Sequence, residues 1–151
     1  MKLAEALVLR ADKKKRIEQL KQRILRNAKV QEGQKPAEDP EILVKEMEKI
    51  SGELLVLIQR INKTNTSTEF DTGASLADAI ASRDILVLKN SIYRDLAQVA
   101  TITQDIRTKS EVKFMGTVKV PQIQARADEL AKEHRELDTR IQELNWKTEL
   151  L

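Results

Sequence analysis

Apolar positions recur in steps of three and four residues along most of the chain, which is the period of an amphipathic α-helix. The last predicted helix keeps heptad spacing up to the final residue. Its repeated positions are Ile123, Ala127, Leu130, His134, Leu137, Ile141, Leu144, Thr148 and Leu151. The second predicted helix carries a similar seam, formed by Leu43, Met47, Ile50, Leu54, Leu57 and Ile61. Seams of this kind are typical of helices that pack side by side.

The ends of the helices are predicted by local signals. Gly33 and Pro36 lie in a polar segment that ends the first helix, because proline lacks the N–H and clashes with the preceding turn. Asp39 and Pro40 start the second helix, since aspartate is a preferred N-cap and proline is tolerated at the first helical position. Ser75 with Asp78 three residues later resembles a capping box that opens the third helix.

The third helix and the segment after it complete the predicted elements. The apolar positions expected to form the buried face of the third helix are Ile85, Leu88, Ile92, Leu96 and Val99. Further along, Val112, Phe114, Val118 and Val120 alternate with polar residues around Gly116, and such alternation indicates a short hairpin or extended ribbon.

These patterns predict a mainly α protein: an elongated four-helix bundle or coiled-coil-like protein with a short β-ribbon before the last helix. The helices are predicted at about 3–28, 40–64, 75–104 and 121–149, and the ribbon at about 110–120. A chain of 151 residues fits one domain, here 1–151. Because long amphipathic helices expose much surface, burial is easiest if copies of the chain share faces. The predicted partner is therefore the chain itself, as a homo-oligomer.

Charge is unevenly distributed between the first two helices. Residues 1–30 hold ten Lys or Arg against three Asp or Glu, whereas residues 31–60 hold four basic and seven acidic side chains. The two segments are electrostatic complements that could pair as an antiparallel hairpin. A basic patch for nucleic acid competes with this interpretation, but the run from Lys13 to Arg16 lacks the interleaved aromatic residues that single-strand binders use. No nucleic-acid partner is predicted.

Composition limits the cellular compartments in which the chain is expected. The chain contains no cysteine, which removes disulfides and thiolate metal sites and fits a reducing compartment. No window approaches the ~20 apolar residues that a membrane span needs, and we identify no signal peptide. The predicted location is the cytoplasm.

Two features are candidates for chemistry. The stripe of the first helix is interrupted by Arg10 and Lys14, which would need carboxylate partners if they face inward. Asp84, Asp95 and Asp138 are the predicted partners, and together the five residues would form a polar layer or an anion site; alternatively, the two cations extend to solvent along their aliphatic stems. His134, the single histidine, is a weak metal candidate on the seam of the last helix, where a polar residue more often sets register.

Catalytic motifs are absent from the sequence. It contains no glycine-rich phosphate loop and no HExxH or GxSxG pattern, and its acidic residues follow the exposed helical positions. We therefore predict no enzyme activity and no cofactor.

Eight short strings are spread over the chain: Arg10-Ala11-Asp12, Asn27-Ala28, Gln31-Glu32-Gly33, Glu38-Asp39-Pro40, Arg60-Ile61-Asn62, Arg83-Asp84, Leu137-Asp138 and Ile141-Gln142-Glu143-Leu144-Asn145-Trp146. Taken together, these strings resemble the septicolysin-like family of small bacterial proteins. The resemblance implies a helical bundle that assembles into a higher homo-oligomer, for which a hexamer is one option. The family name also implies a membrane-active cytolysin.

The leading hypothesis from the sequence is a non-enzymatic, homo-oligomeric helical-bundle protein of the structural or interaction type. The first alternative is a septicolysin-like cytolysin, under which a membrane becomes a partner. The second alternative is a ligand or metal site at an oligomer interface.

Overall fold

The computed structural model describes residues 1–101 and 113–151, and it is mainly helical. The described elements are α1 (Leu3–Arg26), α2 (Pro40–Ser67), β1 (Glu69–Asp71), β2 (Ala74–Ser75), α3 (Leu76–Thr101) and α4 (Val120–Lys147). The chain folds into two compact units. The first comprises Met1–Glu69 with Leu144–Leu151, and the second comprises Phe70–Glu143. The prediction of one domain over 1–151 stays a prediction.

In the first unit, α1 and α2 form the predicted antiparallel hairpin. Two ion pairs connect the helices, Lys13 with Glu53 at 2.5 Å and Arg16 with Glu46 at 2.6 Å, and a third joins Arg23 of α1 to Glu38 in the connecting segment. The residue number of the glutamate falls as the residue number of the cation rises, as antiparallel packing requires. Beneath this ladder lies an apolar core that includes Leu3, Leu20, Leu43, Leu57 and Ile61. The complementary charges inferred from the sequence therefore do pair between the two helices.

The helix ends differ from the predicted ones for local reasons. Helix α1 ends at Arg26 because Asn27 caps it: its Nδ2 donates to the carbonyl of Arg23 at 2.9 Å, and its Oδ1 accepts the Glu38 N–H at 3.1 Å. Helix α2 begins as predicted, with the Asp39 carboxylate accepting the Glu41 N–H at 2.9 Å. It runs on to Ser67 because the hydroxyl of Thr64 donates to the helical carbonyl of Arg60 rather than disrupting the helix.

Both chain ends lie in the first unit and pair with each other. The N–H of Leu3 donates to the Thr148 carbonyl and the N–H of Leu150 to the Met1 carbonyl, each at 2.9 Å. The Lys2 ammonium also forms an ion pair with Glu149 at 2.6 Å. This extended pairing explains why α4 ends at Lys147 rather than near residue 149 as predicted.

The β-ribbon prediction was wrong in position. Residues 113–119 contain no strand, and Val120 is already the first residue of α4; residues 110–112 lie outside the described part of the chain. A Cβ at Gly116 would lie 2.8 Å from the carbonyl oxygen of Ala100, so the backbone of this loop approaches the last turn of α3 closely at Gly116. Alternation along the sequence indicated a strand, but 113–119 has no strand partner among the described residues.

The small sheet lies instead between the second and third helices, where no strand was predicted. Strands β1 and β2 pair across a turn at Thr72 and Gly73, and Gly73 has a φ of +78°, a conformation that glycine adopts without steric cost. The predicted capping box follows directly: the Ser75 N–H donates to the Asp78 carboxylate at 2.8 Å, and the Ser75 hydroxyl accepts the Asp78 N–H at 3.2 Å. The first residue of α3 is thus set by local hydrogen bonding, as the sequence indicated.

The ion-pair ladder predicts how acid affects the hairpin. Hydrogen bonds from Arg23 and from Lys13 hold the pKa values of Glu38 and Glu53, respectively, below the ordinary glutamate value. A lowered folded-state pKa means that each of these two ion pairs stabilises the fold at neutral pH. This contribution starts to fall near the ordinary glutamate pKa of about 4.3 and is lost as the pH falls through the lower folded-state pKa. We expect Glu38→Gln combined with Glu53→Gln to flatten the acid limb of the stability profile, measured by urea unfolding between pH 7 and pH 3.

The control for this experiment is Glu48→Gln. Glu48 is exposed on α2 and forms no ion pair among the described residues. Its removal should leave the acid limb unchanged. If the double variant and the control give the same pH dependence, the ion pairs do not contribute to the loss of stability in acid.

Candidate interaction surface

The face of α3 that was predicted to be buried is exposed. The exposed fractions are 51% for Ile85, 56% for Leu88, 57% for Ile92, 38% for Leu96 and 67% for Val99. On a helical projection at 100° per residue these five side chains fall within a strip about 80° wide. We call this set the α3 stripe. The sequence identified an apolar face correctly but assigned it to the core wrongly.

Helix α3 buries a different and less apolar face. Most of its buried and half-buried positions also recur in steps of three and four, and these are Leu76, Ala79, Arg83, Leu86, Asn90, Tyr93, Ala97 and Ala100; Ala77 and Ile80 in the first turns are half-buried as well. Two contacts tie this face to α4: Asn90 Nδ2 donates to the Ala127 carbonyl at 2.6 Å, and Arg83 Nη1 pairs with Asp138 at 3.0 Å. The pairs run in opposite chain directions, so α3 and α4 are antiparallel.

Sequence reasoning missed this face because it contains an arginine, an asparagine and four small or aromatic residues. The spacing alone could have revealed it, since it fits the heptad period at least as well as the α3 stripe does. Small residues such as Ala79 and Ala97 let helices approach closely, and Arg83 is satisfied by carboxylates. The more apolar face is therefore left pointing outward.

An outward apolar stripe is a signal of interaction. Single exposed apolar side chains are ordinary, but a continuous patch on a soluble chain usually marks a binding surface. The central part of the α3 stripe, from Ile85 to Leu96, contains no charged residue along its midline. Charged residues flank it: Lys89 on one side, and Asp84 and Asp95 on the other.

The predicted polar layer is only partly assembled. Asp84 and Asp138 are brought together by Arg83, which lies 3.2 Å from Asp84 and 3.0 Å from Asp138. Asp95 instead borders a polar cavity of about 260 Å³ with Arg94, Gln98, Thr101 and Gln124. Arg83 was not among the predicted site residues, although the sequence places it next to Asp84.

The two cations predicted for this layer lie in the first unit. Arg10 is half-buried, Lys14 is exposed, and neither forms an ion pair among residues 1–101 and 113–151. The inward stripe of α1 continues through Lys13, whose side chain is only 20% exposed and whose ammonium pairs with Glu53. The cation on the inward face of α1 is therefore Lys13, one residue before the predicted Lys14.

His134 lies half-buried on α4. Among the described residues, no group of three or more His, Cys, Asp or Glu side chains is arranged to hold a metal ion. The seam around His134 otherwise matches the prediction, because Ala127, Leu130 and Ile141 are buried and Ile123 and Leu137 are half-buried. A search of the described helices for a segment long and apolar enough to cross a membrane finds none.

Comparison with other proteins places the chain beside proteins without a known role. The model of DUF6847, described as a family of unknown function, matches residues 10–150. A crystal structure of a functionally unknown conserved protein from Corynebacterium diphtheriae is 46% identical and superimposes with a TM-score of 0.94. That similarity covers 100% of this chain and 99% of the other. Among curated proteins, none matches.

Proposed function

We propose that this chain, which belongs to the DUF6847 family, is a homo-oligomeric helical protein of the structural or interaction type, without catalytic activity of its own. The observation that carries the proposal is the α3 stripe. Its five apolar side chains are 38–67% exposed, while the same helix packs inward through a face that mixes leucines with small, aromatic and polar residues. A helix with this inverted pattern gains most by covering its outer face with another protein surface.

Self-association explains directly why the more apolar face of α3 points outward. At about 25 cal/mol per Å² of apolar surface, five half-exposed aliphatic side chains in each copy supply a substantial driving force for assembly. The cytoplasm is the compartment we propose, on the basis of the cysteine-free composition. The hexamer and the cytolytic activity implied by the septicolysin-like resemblance stay predictions.

The test is the oligomeric state of the full chain. We expect the wild-type protein to assemble at micromolar concentration in sedimentation equilibrium, and Ile92→Glu to shift it at least tenfold toward monomer because a carboxylate would be buried in the apolar contact. The control is Val87→Glu. Val87 is 51% exposed on α3, as Ile85 is, but it lies outside the α3 stripe. A wild-type chain that stays monomeric at the highest attainable concentration would refute the proposal.

A further inference from the structure

We infer that the α3 stripe pairs in parallel with the α3 stripe of a second copy, around a rotation axis that runs along the helices. The inference rests on the proposed self-association and adds the partner surface and its direction. The stripe extends from Ile85 to Val99, about 21 Å at 1.5 Å per residue. Two such strips laid together form a short two-helix seam with the heptad character of a coiled coil.

The flanking charges decide between parallel and antiparallel pairing. On the helical projection, Lys89 lies about 60° to one side of Ile92, whereas Asp84 and Asp95 lie about 80° and 60° to the other side. These residues are exposed. The α3 stripe thus has one basic and one acidic flank, and the direction of pairing determines which flanks meet.

Parallel pairing brings unlike flanks together. Rotation around an axis along the helices places the basic flank of each copy against the acidic flank of the other. Lys89 of each copy then lies in height between Asp84 and Asp95 of its partner, about 8 Å along the axis from the first and 9 Å from the second. The long lysine side chain can approach either carboxylate.

Antiparallel pairing brings like flanks together. Rotation around an axis perpendicular to the helices places the two Lys89 side chains on one flank and all four aspartates on the other. Like charges on both flanks disfavour association, while the apolar contact is similar in the two arrangements. The observed charge pattern therefore selects the parallel arrangement, and it is self-complementary because each copy supplies both partners of every pair.

The chain lacks cysteine, so single introduced thiols report the arrangement directly. We expect Ile85→Cys and Val99→Cys each to form a disulfide-linked dimer under mild oxidation, because parallel pairing sets each position opposite itself, within the roughly 7 Å between Cα atoms that a disulfide spans. Val87→Cys is the control for random collision, since Val87 and Ile85 are both 51% exposed. Its cross-linking should be at least tenfold slower.

Antiparallel pairing gives a different pattern. It would set residue 85 opposite residue 99, so cross-linking only when Ile85→Cys and Val99→Cys are mixed would overturn the inference. Oligomers of the wild-type chain whose cysteine variants cross-link no faster than Val87→Cys would also overturn it, but would leave the proposed self-association standing. A monomeric wild-type chain would refute both. As a second readout, Lys89→Glu should weaken association about tenfold, and an unchanged dissociation constant would contradict the charge argument.

Discussion

Replacing Leu76 by alanine is expected to lower the free energy of unfolding by about 2 to 5 kcal/mol. Leu76 is the first residue of α3 and is fully buried, with an exposed fraction of 0%. Removing its branched end withdraws apolar atoms from the core of the second unit and leaves a cavity that neighbouring side chains fill only in part. Urea unfolding followed by circular dichroism measures the change, and it should be independent of protein concentration.

Leu88→Ala is the matched control on the same helix. Leu88 is 56% exposed on the α3 stripe, so at concentrations where the chain is monomeric its truncation should change stability by no more than about 0.5 kcal/mol. At high concentration the same variant should lose the extra stability that the proposed association would give the wild-type chain. If Leu88→Ala destabilises the dilute protein as strongly as Leu76→Ala, then Leu88 belongs to the core and the α3 stripe is not a free surface.

The contrast between these two leucines shows how far heptad spacing could predict which face of a helix is buried. In α4 the period predicted the interior well, since Ala127, Leu130 and Ile141 are buried. In α3 two sets of positions satisfy the same spacing, and hydrophobicity favours the one that lies outside. Spacing tells which residues share a helix face, but not whether that face meets the chain's own core or another copy. That choice depends on the neighbouring helix, which periodicity does not specify.

The contacts of the charged residues could also be predicted only in part. The opposite charges of the first two helices predicted their pairing because many residues contribute and an error of one position matters little. Choosing Lys14 rather than Lys13 required a precision that the pattern did not have, because one residue rotates a side chain by about 100° around the helix. Arg83 was missed for a different reason: its partner Asp138 is distant in sequence, and only the packing of α3 against α4 brings them within 3.0 Å.

Asn145 is a buried polar residue near the end of α4, in the first unit. It is only 3% exposed, and its Oδ1 has no hydrogen-bond partner among the described residues. Burying an amide oxygen without a partner costs about 1–3 kcal/mol. Leucine has nearly the same branched shape and has no polar group to desolvate. Asn145→Leu is therefore expected to raise the free energy of unfolding by about 1 to 2 kcal/mol and to raise Tm.

The same substitution at Asn90 should have the opposite sign, which makes it a matched control. Asn90 is half-buried on α3, and its Nδ2 donates a 2.6 Å hydrogen bond to the Ala127 carbonyl. Asn90→Leu removes that bond and should lower stability by about 1 kcal/mol. Thermal and urea unfolding of both variants at one dilute concentration measure the two changes in stability. A loss of stability in Asn145→Leu would show instead that its amide oxygen has a partner in solution, such as an ordered water molecule, and that the buried amide contributes to the fold.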